Sequence, residues 1–133
     1  AITYEIREDF IEIVKSNIGF LQLKNIKIKN KDIYEEIEDK DIDVIILDVP
    51  EPWKAIESCS KALKPGGFLV SYSPSVPQVA DFVNALRKNE SFVYLKTCEI
   101  TEREWEVEER KVRPKSASIG HSGFMSFARK VTK

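Results

Sequence analysis

The chain has 133 residues and a net charge of −1, and 32% of its residues are charged while 42% are apolar. This balance is typical of one globular domain with its own core and excludes an intrinsically disordered chain. Because no apolar run approaches the roughly 20 residues of a transmembrane helix, we expect no membrane partner.

The first half of the chain predicts strands and helices in alternation. Residues 2–5 form a short strand that ends in an acid, and the helix over 7–17 places Phe10, Ile13 and Val14 at helical spacing, with Gly19 as its C′ residue. The remaining predicted elements of this half are a strand over 25–28, a turn over 30–32, a short helical piece over 33–37, a strand over 43–48 and a helix over 53–63.

The second half begins where Pro65-Gly66-Gly67 is predicted to end that helix. A strand over 68–73 and a helix over 76–88 follow. Strands over 92–100 and 122–129 fit an antiparallel hairpin that closes the edge of a mostly parallel sheet, and the charged segment over 102–115 joins them. The buried face of the helix is predicted to contain Val76, Val79, Phe82, Val83 and Leu86. This order predicts a doubly wound α/β fold with a Rossmann-like sheet.

The segment over 44–53, VIILDVPEPW, is predicted to place a carboxylate at the edge of the sheet. Its uninterrupted apolar run is typical of a strand buried on both faces in a parallel sheet. Pro50 and Pro52 cannot extend a ladder, so the strand ends at Asp48. Ligands bind at the carboxyl ends of strands in open α/β sheets, which makes Asp48 a candidate site residue. The alternative is that Asp48 only caps the helix that begins at Trp53.

Nucleotide-binding sheets of this kind begin with a strand and a glycine-rich turn, and the sequence contains no GxGxxG motif. Glu5 nevertheless stands where the acid at the end of the second strand binds a ribose diol. We therefore expect the chain to be a fragment, with its first strand and glycine loop upstream of residue 1. That strand would lie between the strands over 2–5 and 43–48.

Cysteine, histidine and basic residues restrict the other classes of site. Cys59 and Cys98 have no CxxC spacing, which favours buried, reduced cysteines of an intracellular protein. The lone His121 argues against a histidine-based metal site, and we expect no metal. Two basic clusters, over 24–31 and 110–115, could contact phosphate, and solvated surface charge is the alternative for both.

Several motifs together resemble one known family. They are Tyr4-Glu5, Asp32, the 47–53 turn LDVPEPW, the 63–67 turn LKPGG, Tyr72-Ser73-Pro74-Ser75 with Gln78, Arg103-Glu104-Trp105, Arg113-Pro114, and Gly120-His121-Ser122-Gly123-Phe124. In this combination the chain resembles class I S-adenosylmethionine-dependent methyltransferases. More narrowly, it resembles the archaeal and bacterial tRNA (adenine-N1)-methyltransferases that modify the T-loop. The family usually has Thr where Ser122 stands.

The resemblance implies the S-adenosylmethionine-dependent methylation of N1 of adenine 58 in tRNA, with position 57 as a further archaeal-type target. It also implies a cytoplasmic homotetramer. Residues 1–133 would then be the C-terminal major part of the catalytic domain, from its second strand onward. Glu5 would bind the cofactor ribose, and Asp32 with Ile33 its adenine. Asp48 would contact both cofactor and substrate as the catalytic carboxylate.

The resemblance also implies candidate tRNA contacts. Trp53 and Tyr72 could stack on the base, which Pro50 would also contact, and Arg110 and Arg113 would hold the backbone. His121 would line the substrate site or serve the structure. Alternatives remain for several of these residues: a surface acid beside Arg7 for Glu5, a turn or helix cap for Asp32, core packing for Trp53, and subunit contacts for the 102–115 arm.

Other functions of the same fold remain open at this point. One is a non-catalytic tRNA-binding subunit, although such a scaffold does not need a carboxylate at position 48. Another is a methyltransferase that acts on a small molecule. A third is a nucleotide-dependent oxidoreductase, which the LKPGG turn and the closing hairpin disfavour.

Overall fold

The computed structural model describes residues 1–117 and 120–132, and helices and strands alternate along most of them. The elements are β1 Ile2–Tyr4, α1 Glu8–Phe20, β2 Lys27–Lys29, β3 Ile42–Leu47, a 3-10 helix Pro52–Ala55, α2 Ile56–Ala62, β4 Leu63–Ser73, α3 Val76–Lys88, β5 Phe92–Glu99, β6 Trp105–Glu108, β7 Lys111–Pro114 and β8 Phe124–Lys130. Within these ranges no helix is both long enough and apolar enough to cross a bilayer.

The strands form three separate sheets. The largest has the order β3-β4-β8-β5, in which β3 is parallel to β4 while β8 runs antiparallel to both of its neighbours. A second sheet pairs β1 with β2 in parallel, and a third is the antiparallel hairpin of β6 and β7. The predicted α/β fold is confirmed. The predicted antiparallel pair also forms, but the last strand, β8, lies inside the sheet and β5 forms its edge.

The core lies between the large sheet and helices α2 and α3. Phe82 and Leu86 of α3 are fully buried against Leu69 of β4 and Ala128 of β8. The predicted bounds of α3 are confirmed, because its Pro in the first turn and its apolar spacing both act locally. The prediction that Val76 lies on the buried face is wrong, since this first residue of the helix is 64% exposed. Burial of one such aromatic side chain stabilises the fold by roughly 1.5–3 kcal/mol.

The Pro65-Gly66-Gly67 segment lies inside β4 and does not end the preceding helix. Helix α2 already ends at Ala62, and the register of β3 against β4 shifts between Ile42 and Val44. Gly66 has φ +80°, a conformation that glycine adopts at little cost. A Cβ on Gly67 would lie 3.0–3.1 Å from the carbonyl oxygens of Asp43 and Ile42, so the two strands approach closely only because this position is glycine.

Two expectations about local elements are wrong. Helix α1 continues through Gly19 to Phe20, so Gly19 is not the C′ residue. Residues 33–37 form a turn and no helix, because the Asp32 side chain accepts the backbone N–H of Tyr34 and competes with helical hydrogen bonding.

The expected burial also differs at two elements. In β3, Val44 is 49% exposed and Ile46 is 70% exposed, so this strand is buried on one face only. In α1 only Ile11 is buried, while Phe10 and Ile13 are exposed. Both elements therefore carry apolar surface that no described residue covers.

Candidate active site

A groove of about 760 Å³ separates β1 from β3. We call it the interstrand groove, and it is lined by residues 1–5, Ile33, Ile37, Asp39 and residues 41–49. Among the described strands, β1 pairs with β2 alone and β3 pairs with β4 alone. The two strands on either side of the groove therefore each have a backbone edge without a ladder partner.

Three predicted site residues come together on this groove. Glu5 follows the last residue of β1, Asp48 follows the last residue of β3, and Ile33 lies on the loop after β2. The carboxyl end of a parallel strand thus supplies each of the two acids, as expected for an α/β sheet. This placement is compatible with the predicted binding of cofactor and substrate by these three residues. Their individual roles stay predictions.

The Asp48 side chain is exposed and lines the groove. Within residues 1–117 and 120–132 its side chain has no hydrogen bond and no ion pair. The 3-10 helix after it is preceded by Glu51 and has no side-chain cap. The capping alternative for Asp48 therefore has no support in the structure, and its carboxylate is available to a ligand.

The other two predicted acids also serve local structure. Glu5 Oε1 accepts the backbone N–H of Arg7 at 2.9 Å, just before α1 begins. Asp32 Oδ1 accepts the N–H of Tyr34 at 2.8 Å and shapes the turn, and Asp32 does not line the groove. A carboxylate has a second oxygen, so these bonds leave each acid able to accept from a ligand.

A polar cluster that the sequence analysis missed also lies at the groove. The Tyr4 hydroxyl donates to Asp39 Oδ2 at 2.5 Å, and Lys29 Nζ donates to the same atom at 2.8 Å. The hydrogen bond from Lys29 lowers the pKa of Asp39. The pKa of Tyr4 is raised mainly by burial and, to a smaller extent, by its hydrogen bond to Asp39. Tyr4 and Asp39 are 35 residues apart, so no spacing pattern could have indicated the pair.

The turn that follows Asp48 is held by side chains from two other elements. Gln78 Nε2 of α3 donates to the Pro50 carbonyl oxygen at 3.1 Å. The backbone N–H of Glu51 donates to the Tyr34 hydroxyl at 3.0 Å. Trp53 packs against the core cluster, in agreement with the structural alternative for this residue.

His121 and Tyr72 meet at the end of β4. His121 Nδ1 lies 2.5 Å from Glu99 Oε1, and its Nε2 lies 2.9 Å from the Pro74 carbonyl oxygen. Both partners are acceptors, so the two hydrogen bonds form together only when the ring is an imidazolium. The Pro74 carbonyl, followed by Glu99, raises the pKa of His121. This bonding supports a structural role for His121 and leaves neither nitrogen free to act as a base.

Tyr72 holds the same segment from the other side. Its hydroxyl donates to the Ser122 carbonyl oxygen, and its ring lies so close to Gly123 that a Cβ there would collide with it. The Tyr72 hydroxyl is therefore engaged, and only its ring remains for a substrate base.

The 110–115 basic cluster lies on the hairpin of β6 and β7. Arg113 Nε pairs with Glu106 at 3.0 Å, and Lys115 pairs with Glu104. Arg110 and Lys111, at the turn of the hairpin, are exposed, and their side chains have no hydrogen bond or ion pair with any described residue. The structure therefore leaves Arg110 accessible as a phosphate contact and makes Arg113 half of an ion pair. In the other cluster, Lys29 and Lys31 are paired with acids of the 31–41 loop.

Covalent and metal chemistry have little support. Burial raises the pKa of the Cys59 thiol to about 12, so it stays protonated and unreactive. Neither cysteine is in a disulfide in the described part of the chain. Within the same residues no three His, Cys, Asp or Glu side chains are placed to hold a metal ion.

Comparisons with known proteins point to one family. A family model described as tRNA methyltransferase complex GCD14 subunit matches residues 4–122. The tRNA (adenine(57)-N(1)/adenine(58)-N(1))-methyltransferase TrmI of Methanocaldococcus jannaschii is 37% identical over an alignment of 155 positions that spans 96% of this chain and 55% of that protein. The tRNA (adenine(58)-N(1))-methyltransferase TrmI of Thermus thermophilus is 34% identical over 125 residues, which cover 92% of this chain and 49% of that protein.

Solved structures agree with this fold. A SAM-dependent O-methyltransferase from Thermotoga maritima superposes with a TM-score of 0.95 at 33% identity, over 99% of this chain and 50% of that chain. The tRNA (m1A58) methyltransferase TrmI from Aquifex aeolicus gives 0.90 at 26% identity, over 99% and 53%. The chain thus spans about half the length of the curated relatives it matches.

Proposed function

This chain belongs to the tRNA methyltransferase complex GCD14 subunit family, and from that premise we propose that its protein methylates N1 of an adenine in the T-loop of tRNA. The donor is S-adenosylmethionine, and the target is adenine 58, with adenine 57 as a further site. The observation that carries the proposal is Asp48, an exposed carboxylate without a hydrogen bond or ion pair among the described residues, which shares the interstrand groove with Glu5. The relatives named for this reaction support it.

The residues present could bind the ribose and the adenine of S-adenosylmethionine. Glu5 Oε2 accepts no hydrogen bond from the described residues and is available to the ribose hydroxyls. Ile33 offers an apolar wall for the adenine, with Asp32 beside it as an acceptor for the adenine amino group. Bound there, S-adenosylmethionine supplies an electrophilic methyl group on a sulfonium. Asp48, on the opposite side of the groove from Glu5, would contact both the cofactor and the substrate.

Asp48 acts by charge and not as a base. N1 of adenine has a free lone pair at neutral pH, so no proton has to be removed before it attacks. The methylated ring is cationic, and a carboxylate that accepts from the exocyclic amino group stabilises the positive charge as it develops. Pro50 and Pro52 each fix a φ angle after Asp48, which limits the reorganisation needed during the reaction.

A strand preceding residue 1 would complete the sheet. The free edges of β1 and β3 both face the interstrand groove, and the side chains of Val44 and Ile46 are exposed beside it. One inserted strand would give both edges a ladder partner and join the two parallel sheets. Residues 1–133 would then be the larger, C-terminal part of the catalytic domain. Expressed alone, they should be cleaved rapidly in limited proteolysis, and a compact, protease-resistant monomer would contradict this arrangement.

The tRNA and subunit contacts are assigned to the hairpin and the end of β4. Arg110 would contact phosphate, and Pro50 with the ring of Tyr72 would lie against the target base. On one face of the hairpin, Trp105, Val107 and Val112 are exposed. An isolated two-stranded hairpin is only marginally stable in water, so this apolar face suits a second copy of the chain in a cytoplasmic homotetramer.

The decisive experiment is methyl transfer by the complete polypeptide, including any segment before residue 1. Labelled S-adenosylmethionine and unmodified tRNA should yield 1-methyladenosine at position 58, and nucleoside analysis identifies the product. Absence of label in adenine at saturating cofactor refutes the proposal. If the protein binds cofactor without transfer to RNA, a small-molecule substrate becomes the better candidate. If it binds tRNA but no cofactor, the non-catalytic subunit is favoured.

A further inference from the structure

We propose that Gln78 and Tyr34 are positioning residues that clamp one peptide group beside Asp48 and thereby hold the carboxylate in place for methyl transfer. This inference rests on the proposed function and assigns these two side chains a part in the reaction. Its starting point is that the Asp48 side chain has no hydrogen bond or ion pair among the described residues. The place of its carboxylate therefore depends on the backbone that follows β3.

The two hydrogen bonds act on the same peptide plane. The Pro50 carbonyl oxygen accepts from Gln78 Nε2 at 3.1 Å, and the Glu51 N–H donates to the Tyr34 hydroxyl at 3.0 Å. These are the C=O and N–H of the single peptide bond between Pro50 and Glu51, which is trans. In a trans peptide the two groups point in opposite directions across a rigid plane. Holding both ends prevents the plane from rotating, which the proline rings alone do not prevent.

The Gln78 end of the clamp is itself held. The Ser75 hydroxyl donates to Gln78 Oε1 at 2.6 Å, which orients the amide so that its NH₂ faces Pro50. Gln78 lies in the first turn of α3, and Phe82 and Leu86 of the same helix are fully buried in the core. The donor is thus fixed to a rigid element.

The Tyr34 end links the clamp to the predicted cofactor side of the groove. The Tyr34 ring packs against the core cluster, and its backbone N–H donates to Asp32. Tyr34 therefore connects the turn of Asp32 and Ile33 to the turn of Asp48. A change at either place shifts the other, so the donor-binding and acceptor-binding acids keep a defined separation.

The test compares single-turnover methyl transfer to unmodified tRNA in variants of the complete polypeptide. Gln78→Met keeps the length of the side chain and removes the carbonyl oxygen and the NH₂ of its amide, and Tyr34→Phe keeps the ring and removes the hydroxyl. Each should lower the rate about 10-fold, because misplacement of a reacting group by about 1 Å can cost about 100-fold. The KM values for cofactor and tRNA should change less than about twofold, since neither residue is assigned to binding.

Matched controls separate positioning from stability. Asn84→Ala removes an exposed amide from the same helix, and Tyr94→Phe removes a hydroxyl that donates to Thr97 in β5. Both should retain the wild-type rate. If Gln78→Met does not fold, as judged by circular dichroism, Tyr34→Phe tests the clamp independently because it deletes only one oxygen atom.

Coupling to Asp48 provides the sharper test. In an Asp48→Ala background neither a charge nor an acceptor is left to position, so Gln78→Met and Tyr34→Phe should each lower the residual rate less than about twofold. The same 10-fold loss in both backgrounds would overturn the inference. Hydrogen exchange at the Glu51 amide gives a readout without activity: it should accelerate in Tyr34→Phe, and unchanged exchange also overturns the clamp. If the wild-type protein methylates no tRNA, the proposed function fails, while this exchange measurement still decides whether the clamp exists.

Discussion

Replacing Asp48 by Asn removes the charge of the side chain and keeps its shape. The amide oxygen of Asn can still accept from the exocyclic amino group of adenine, so the variant isolates the electrostatic contribution. A full charge at a contact distance of about 4 Å contributes about 4 kcal/mol at the effective dielectric constant of about 20 found near protein surfaces. Asp48 is exposed, so solvent reduces this to roughly 1.4–2.7 kcal/mol, which corresponds to about 10- to 100-fold in rate.

The assay is single-turnover transfer of a labelled methyl group to unmodified tRNA at saturating cofactor. We expect the rate constant of Asp48→Asn to fall by this factor. Cofactor affinity should change only a few-fold, because Glu5, Asp32 and Ile33 hold most of the donor. Asp81→Asn is the matched control, since Asp81 is an exposed carboxylate of α3 without a partner among the described residues. A rate within twofold of wild type for Asp48→Asn would refute the electrostatic role of this residue.

Three further predictions concern stability and tRNA binding. A Cβ at position 67 would lie 2.9–3.1 Å from three backbone carbonyl oxygens, so Gly67→Ala should lower the free energy of unfolding in urea by about 1–3 kcal/mol. Gly120→Ala, where nothing lies within 4 Å of the added Cβ, should leave it unchanged, and equal effects would contradict the close approach of β3 and β4. The folded state raises the pKa of His121, so its stabilising contribution is complete below pH of about 6.5, the unfolded pKa, and is lost as pH rises through the folded pKa. The urea midpoints of wild type and His121→Gln should therefore converge as pH rises, and a difference that grows with pH would contradict the imidazolium. Reversing Arg110 and Lys111 to Glu should weaken tRNA binding and reduce the salt dependence of log K by about 2, roughly one for each lost phosphate contact. An unchanged slope in a titration at several salt concentrations would exclude these residues from the interface.

Local chemistry explains which elements the sequence predicts correctly. Helix α3 has the predicted bounds of Val76–Lys88, because its first-turn proline and apolar spacing act within a few residues of one another. The 33–37 helix fails because the Asp32 side chain takes a backbone donor that helical hydrogen bonding would need. The prediction that both faces of β3 are buried fails because burial depends on which elements cover a strand. The sequence over 44–47 shows only that the strand is apolar.

The sequence by itself determines that a strand ends next to Asp48 and that the backbone after Asp48 is restricted. Both follow from the prolines at positions 50 and 52, whose rings act on their own φ angles and on adjacent hydrogen bonds. It likewise places Glu5 at the end of β1, since the alternation of strand and helix sets where each strand ends.

Only the tertiary structure decides which groups meet. Glu5 and Asp48 share the interstrand groove although 43 positions separate their numbers, and the Pro50–Glu51 peptide is held by residues 28 and 17 positions away from its two ends. His121 reaches Pro74 across 47 positions. No local pattern encodes such contacts, because hydrogen bonds depend on distances within a few tenths of an ångström that packing of the whole core establishes.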